Sequence, residues 1–512
     1  MKIRTVWFYS LLVALLYTAV FGYLFNSGDQ AEHLPQVYKL QNKLLYSHDF
    51  FMLEYAKQFT IRDYYVFTVN LLSVFMPVAW VCFLLQLFSI AFSAYGVIRI
   101  TERISDNKLA PYISPLLALI AFRSFTVGGN AVQDLQFVTS SLAWPLGLWA
   151  FYKLIDGKYI AAGAFAGFAT VNQPLIGLHV FLLIVGVIAV NNRKIFFGTI
   201  VYTIVAFFAA AVLMLFPLVL RQFMTPFAGD KNLYLSLLYE FRNYDHYTPH
   251  LFPIIDYIKF GLLTIFAVVL LIKSAVKEVN TLRLLIGFVL LGMVVYSVAV
   301  EGHIMYGLGK IQWFKTTVWV SMLGSILISI KMAGPLEGVL LSPRLSKFYN
   351  RALPVLGIVV FFIITNSSLI PGTGDKYQIG NYTKSDLTLL HEWVEKNTDV
   401  NAIVLTSPSD NSFACEAKRS QPISFKAIIH EPGFMLRWYT LVKEVYGTSI
   451  EDTNGNRALS IANSLYKERN YKEHITIPIT INYRIDNVQT CQYIDNLGKI
   501  VHQQGDWVLT EF

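Results

Sequence analysis

No charged residue interrupts the chain between Phe196 and Leu220, and a run of that length decides most of what the protein can be. At helical rise, about 20 apolar residues cross the hydrocarbon core of a bilayer. Within lipid each backbone N–H and C=O must be satisfied without water, which leaves helices or closed barrels. The alternating pattern of a barrel strand is absent, and several comparable apolar runs recur along the sequence. Composition agrees, with 55% hydrophobic and 14% charged residues and a mean hydropathy of +0.49, well above the usage of globular domains. The sequence therefore predicts a polytopic α-helical membrane protein.

The apolar pattern predicts about eleven spans, near 6–25, 72–97, 109–125, 139–154, 159–173, 175–191, 195–217, 254–272, 283–300, 312–331 and 353–370. Lys2, Arg4, Arg99, Arg103, Lys108, Lys153, Lys158, Arg193, Lys194, Lys273, Lys277, Arg283, Lys331, Arg344, Lys347 and Arg351 all fall in loops of one parity. Lys and Arg mark the cytoplasmic side, so the N-terminus is cytoplasmic and the loops carrying Asp29, Glu32, Asp49, Asp134, Asp230, Glu240 and Glu301 are outside. Basic inner loops account for the net charge of +8, and no nucleic-acid partner is needed to explain it. The first apolar run is longer than the core of a typical signal peptide and is followed by no convincing small-x-small cleavage site, so it reads as a retained span.

An odd number of spans places the C-terminus outside. Residues 1–371 read as a transmembrane domain with outer loops 26–71, 218–253 and 301–312, and residues 372–512 as a soluble extracytoplasmic domain. There "TKSDLTLLHEWVEKN", "GFMLRWYTLVKEVYG" and "ALSIANSLYKERN" have helical periodicity, whereas "AIVLTSP", "ITIPITINY" and "KIVHQQGDWVLTEF" read as strands. This mixture predicts a small α/β layer. Two of the three cysteines, Cys415 and Cys491, fall in this domain, and an oxidising compartment favours a disulfide between them.

The outer loops hold the chemistry. "NSGDQAEHLP", residues 26–35, sets Asp29 and Glu32 directly after the first span. Their spacing is that of a capping pair, but Pro35 suits a helix that begins near Leu34, lying on the membrane surface with the two carboxylates in the connector before it. "YEFRNYDHYTPHLFP" adds Arg242, His246 and His250, preceded by Arg221, and "GHIMYGLGKIQWFK" adds Lys315. Guanidinium and imidazole donors suit a phosphate, although aromatic and basic residues at an interface also serve as membrane anchors. No glycine-rich phosphate loop or metal-spaced Cys/His cluster occurs.

Acidic residues after span one, a helix behind them, many spans and an outer α/β domain resemble the GT-C superfamily of membrane glycosyltransferases. The chain is most similar to a family of uncharacterised bacterial polytopic membrane proteins related to that superfamily. The likeness rests on "GDQ" (28–30), "HLP" (33–35), the distal Asp49, and an "R-x-P-H-H-Y-x-P" pattern matched by Arg242, His246, Tyr247 and Pro249. Tyr244 and Asp245 replace its proline and first histidine, and Asn172 stands where histidine is common in "GKYIAAGAFAGFATVNQPLIGLHVF". "EWVEKNTDVNAIVLTSP" and "SFKAIIHEP" in the outer domain also match. The resemblance implies a bacterial inner (plasma) membrane enzyme of the cell envelope that moves a sugar from a polyprenyl-phosphate carrier to an extracytoplasmic acceptor. Asp29 would be the base, Glu32 or Asp49 its supporter or ligand of a divalent metal, and Arg242, His246, His250, Lys315 and Arg221 the phosphate contacts.

A transporter or flippase is the rival reading, since Asn172 and Gln173 beside Pro174 resemble a broken helix at a binding site, although almost no ionisable residue lies mid-span. A noncatalytic scaffold is the third. The topology is testable: protease added to intact spheroplasts should remove the C-terminal domain, and its protection there with digestion in inverted vesicles would overturn the eleven-span reading.

Overall fold

The computed structural model describes residues 3–191, 196–224, 227, 229–273, 278–340, 355, 357–363, 365, 376–379, 385–452, 457–468, 480–492 and 498–511. Among these, seven helices are long and apolar enough to cross a membrane: Ile3–Phe21, Val78–Ile104, Pro174–Asn191, Phe197–Arg221, Ile254–Ile272, Val279–Glu301 and the segment Tyr306–Glu337. The expected spans at 109–125, 139–154 and 159–173 are helices shorter than those seven, Ala110–Ala121, Thr139–Ile155 and Tyr159–Asn172. Half of the expected span at 353–370 lies outside the described residues.

The chain divides into two compact units. One comprises Met1–Tyr23, Cys82–Pro217 and Asp245–Tyr377 and holds the apolar helices. Its centre is aromatic: the fully buried Trp319 lies 5.0 Å from Trp144 and 5.0 Å from Phe151, both edge-on. Glycine makes the close approaches here. A Cβ on Gly147 would stand 2.4 Å from the Trp319 ring. Gly163 and Gly167, one turn apart on helix Tyr159–Asn172, face Thr203 and Phe207 of helix Phe197–Arg221, where added Cβ atoms would meet the Thr203 and Phe207 carbonyls at 2.4 and 2.5 Å. A small-xxx-small stripe of this kind brings helices together where no water drives their association.

The other unit comprises Leu24–Val81, Leu218–Tyr244 and Gln378–Phe512. The C-terminal residues are thus compact with the connectors 24–81 and 218–244. Helix Asp386–Asn397 is capped by Ser385, whose hydroxyl accepts from Thr388 N, and helix Pro432–Tyr446 by Glu431 at its start and Gly447 (φ 73°) at its end. The sheet has the order β1-β2-β4-β3, with β1 (Val404–Leu405), β2 (Tyr483–Asn487), β3 (Ile500–Gln504) and β4 (Trp507–Glu511). β1 runs parallel to β2, and β2–β4 and β4–β3 are antiparallel. Leu390, Val394, Val404, Phe413, Ile485 and Leu509 form the core between helix and sheet. The expected strand in "ITIPITINY" falls mostly outside the described residues, and β2 begins at its final tyrosine.

The connectors attach through polar contacts. Tyr46 donates to Ala414 O (2.7 Å), His48 N to Ser420 Oγ (3.2 Å) and Gln421 N to Asp49 Oδ2 (3.0 Å). Two expectations need correction. The helix after the first span starts at Gln30, not near Leu34, and Gln30 to Tyr38 are buried throughout instead of one face lying on a membrane surface. Pro35 therefore sits inside the helix and leaves the Ala31 carbonyl without its i+4 donor; the Cys415 thiol lies 3.9 Å from that oxygen. The Cys415–Cys491 disulfide is not formed, and both are buried thiols. Cys415 is directed at the proline-broken helix instead.

Valine at Gly163 or Gly167 should cost about 1–3 kcal/mol, the usual scale of overpacking. Thermal unfolding of the purified protein in detergent tests this, with a melting temperature equal to the wild type counting against the close helix contact.

Candidate functional site

The C-terminal-domain unit gathers five charged side chains from four stretches of chain. Glu32 is central. Its carboxylate pairs with Arg62 through Oε2, and Oε1 lies 3.8 Å from Arg242 Nη2 and 3.7 Å from Lys426 Nζ. Lys426 reaches on to Asp29 Oδ1 at 3.0 Å. The Glu32, Arg62 and Arg242 side chains are 6%, 7% and 12% exposed, whereas Asp29 is 59% exposed. Asp29 is thus the accessible carboxylate, and Glu32 is the buried one that organises the cations.

Local irregularities set these positions. The corner before Asp29 turns through Asn26 (φ 59°) and Gly28 (φ 50°), and the Asn26 amide is held by Gln30 Oε1 at 2.8 Å. Asp29 then occupies the N-cap position of helix Gln30–Gln41 without a side-chain cap bond, which leaves its oxygens to Lys426 and solvent. Glu32 follows one turn into the helix. Arg242 closes a π-helical turn, Leu237–Arg242, and the extra residue in such a turn re-aims the side chains that follow. Phe241 and Phe425 belong to one aromatic group with Trp438 and Tyr439, at centroid distances of 5.5–6.0 Å. Each is followed by a cation of the cluster, and Arg242 Nη2 donates to Lys426 O at 2.6 Å.

Electrostatics separates the roles further. Partial desolvation raises the Asp29 carboxyl, but Lys426, His33 and Arg62 outweigh it and hold the group well below the ordinary carboxylate range. It is an anion at neutral pH, and a weak base while Lys426 stays on it. His33 is buried beside Tyr65, with ring centroids 4.8 Å apart, and its Nδ1 has no hydrogen-bond partner among the described residues. Burial, reinforced by the charges of Arg62 and Lys426 against that of Asp29, pushes it down to about 3.

The other sequence candidates are placed differently. Asp49 is the N-cap of helix Phe50–Tyr55, accepting from Met52 N and Gln421 N at 3.0 Å each. Burial raises its carboxyl to about 6 against those bonds, and its geometry is that of a structural anchor. Arg221 donates to Phe59 O (3.0 Å) and Gln58 Oε1 (3.3 Å) and is not one of the Glu32 cations. His246, His250 and Lys315 belong to the unit of apolar helices. There His246 Nδ1 lies 3.1 Å from Gly128 O, His250 pairs with Glu301 at 2.8 Å, and Lys315 sits in the 3₁₀ turn Trp313–Thr316. The donor set does not fit a divalent metal: Glu32 is hemmed by three cations, Asp49 is committed to backbone N–H groups, and no group of three or more His, Cys, Asp or Glu able to hold a metal occurs among the described residues. A crevice lined by Ala31, Pro35, Asp49, Gln421 and Lys426 adjoins the cluster, with a volume of about 10 Å³, the space of a single water.

Sequence reading missed Arg62 and Lys426, and it quoted His33 within "HLP" without giving it a role. Lys426 lies inside "SFKAIIHEP", so that segment carried a signal, whereas Arg62 in "TIRDYY" carried none.

Acid stability tests the burial of His33. Its unfolded form takes up a proton near 6.5 and its folded form only near 3, so the unfolded chain binds more protons between those values and stability falls as pH drops through that window. His33→Gln should flatten the slope of melting temperature against pH, and equal slopes would show that His33 is protonated in the fold. Comparison with known proteins finds one family: residues 385–445 match a domain of unknown function, DUF6798. No curated protein matches the chain. The matched stretch includes Lys426.

Proposed function

We propose that the protein is a membrane glycosyltransferase that moves a sugar from a polyprenyl-phosphate carrier to an extracytoplasmic acceptor. The observation that supports this reading is the convergence of Arg62, Arg242 and Lys426 on buried Glu32 beside the exposed Asp29. Three cations against two carboxylates leave one positive charge in surplus, and forked guanidinium donors suit the oxygens of a phosphate.

In this reading the lipid-linked phosphate approaches from the accessible side and draws Lys426 from Asp29. Loss of that ion pair raises the basicity of Asp29, which takes the proton of the acceptor hydroxyl. The acceptor oxygen bonds to the anomeric carbon as the carbon–oxygen bond to phosphate breaks. The leaving phosphate keeps the electron pair, and its charge is met by Lys426 and Arg242. Glu32 stays buried and holds the guanidinium groups in place. The apolar helices supply the bilayer setting for the lipid carrier, and the chain is read as a multi-pass protein of the bacterial inner membrane with its N-terminus cytoplasmic.

Asp29→Asn keeps the shape of the side chain and removes its basic charge, so transfer from a radiolabelled polyprenyl-phosphate sugar should fall by about 10²-fold or more with an unchanged melting temperature. Wild-type protein that transfers no label would overturn the reading, and a variant as active as the wild type would remove Asp29 as its base. Carrier movement across vesicles without transfer would instead support a flippase.

A further inference from the structure

We propose that His391 is a positioning residue for the Asp29 corner: it bridges Asp410 and Glu416 inside the domain, and Glu416 in turn holds Asn26. The inference deepens the transferase reading by naming what aims its base.

His391 is completely buried on helix Asp386–Asn397. Its Nδ1 lies 2.7 Å from Glu416 Oε2 and its Nε2 3.1 Å from Asp410 Oδ2. Both acidic side chains are 6% exposed. Two buried carboxylates need a counter-charge, and an imidazolium supplies it: Nδ1 hydrogen-bonds Glu416, and Nε2 faces Asp410 as an ion pair without hydrogen-bond alignment. The second oxygen of Glu416 accepts from Asn26 Nδ2 at 3.1 Å. Asn26 is the residue at φ 59° that turns the chain two positions before Gly28 and three before Asp29. A non-glycine residue in the left-handed region persists only where its surroundings fix it, and Glu416 is one such fixture.

Other charged and titratable groups on the adjoining elements are engaged elsewhere. Lys418 pairs with Glu395 at 2.6 Å, Arg419 donates to Glu395 O and Thr398 O, Gln504 bonds Asp386, and His502 stacks on Trp393 at 4.3 Å. Asp29 and Glu32 face Lys426. The charge of His391 is therefore set by its two carboxylates: burial lowers its affinity for a proton, but Asp410 and Glu416 outweigh burial and lift it to about 9. The folded value lies above the unfolded 6.5, so the stabilisation is complete below 6.5 and is lost as pH rises through about 9. His391, Asp410 and Glu416 all lie within the matched stretch 385–445.

Amide hydrogen exchange of the full chain in detergent tests this, with rates corrected for the intrinsic effect of pH. Exchange at residues 27–32 should rise about five-fold or more in Asn26→Ala and in His391→Gln, and in the wild type as pH passes about 9, while strands β2 and β4 stay protected. If the variants do not fold, the wild-type pH series still decides. Wild-type protection of residues 27–32 in Asn26→Ala, or no loosening of that segment across the alkaline range, would overturn the proposal. Loosening as expected together with no transfer of label by the wild type would leave the anchor standing and remove the transferase reading instead.

Discussion

The Glu32 carboxylate, 6% exposed and surrounded by Arg62, Arg242 and Lys426, is the interaction on which the candidate site depends. A buried carboxylate is expensive unless cations and hydrogen bonds replace water, and the same holds for each guanidinium brought inside. Arg62, Arg242 and Lys426 lie 30, 210 and 394 positions from Glu32 along the chain, so the charge requirement ties together the helix after the first span, the segment before helix Asp63–Leu72, the π turn and the irregular stretch around Lys426. Removing Glu32 would leave like charges facing one another. Asp29 can be exposed because Glu32 is not: one carboxylate organises the cations, and the other is presented to solvent.

Backbone irregularity accounts for much of the remaining geometry. Pro35 inside helix Gln30–Gln41 frees the Ala31 carbonyl, the π turn adds a residue before Arg242, and Asn26 and Gly28 turn through positive φ. Each departure costs free energy relative to a regular helix. Each occurs within a few residues of a cluster side chain, and aromatic packing by Phe241, Phe425 and Trp438 supports the π turn.

Two buried histidines among the described residues of this unit show how neighbours decide charge. His33 faces Arg62 and Lys426 and is neutral, and His391 lies between Asp410 and Glu416 and is an imidazolium. Their linkages act on opposite sides of neutrality: His33 weakens the fold as acid charges it, and His391 weakens it as base discharges it. These two linkages taken together favour the fold most near neutral pH, where Asp29 is also ionised.

Long uncharged runs such as 196–220 determined the membrane-helical class by themselves, because lipid offers the backbone no partner and the requirement is met within each segment. The helices at 386–397 and 432–446 were legible for the same reason, since caps and periodicity are local. Asp29, Glu32 and Arg242 were legible as charges out of place in an apolar chain. Arg62, Lys426 and the His391 pair of carboxylates were not, because nothing in "TIRDYY" or "LLHEWV" distinguishes a buried ion from a solvated one. Asp49 read as chemistry and is placed at a helix N-cap, and Pro35 read as a helix start and proved interior. Only tertiary structure decided these points, since the cost of burying a charge, or of breaking a helix, is set by which distant residues arrive to offset it.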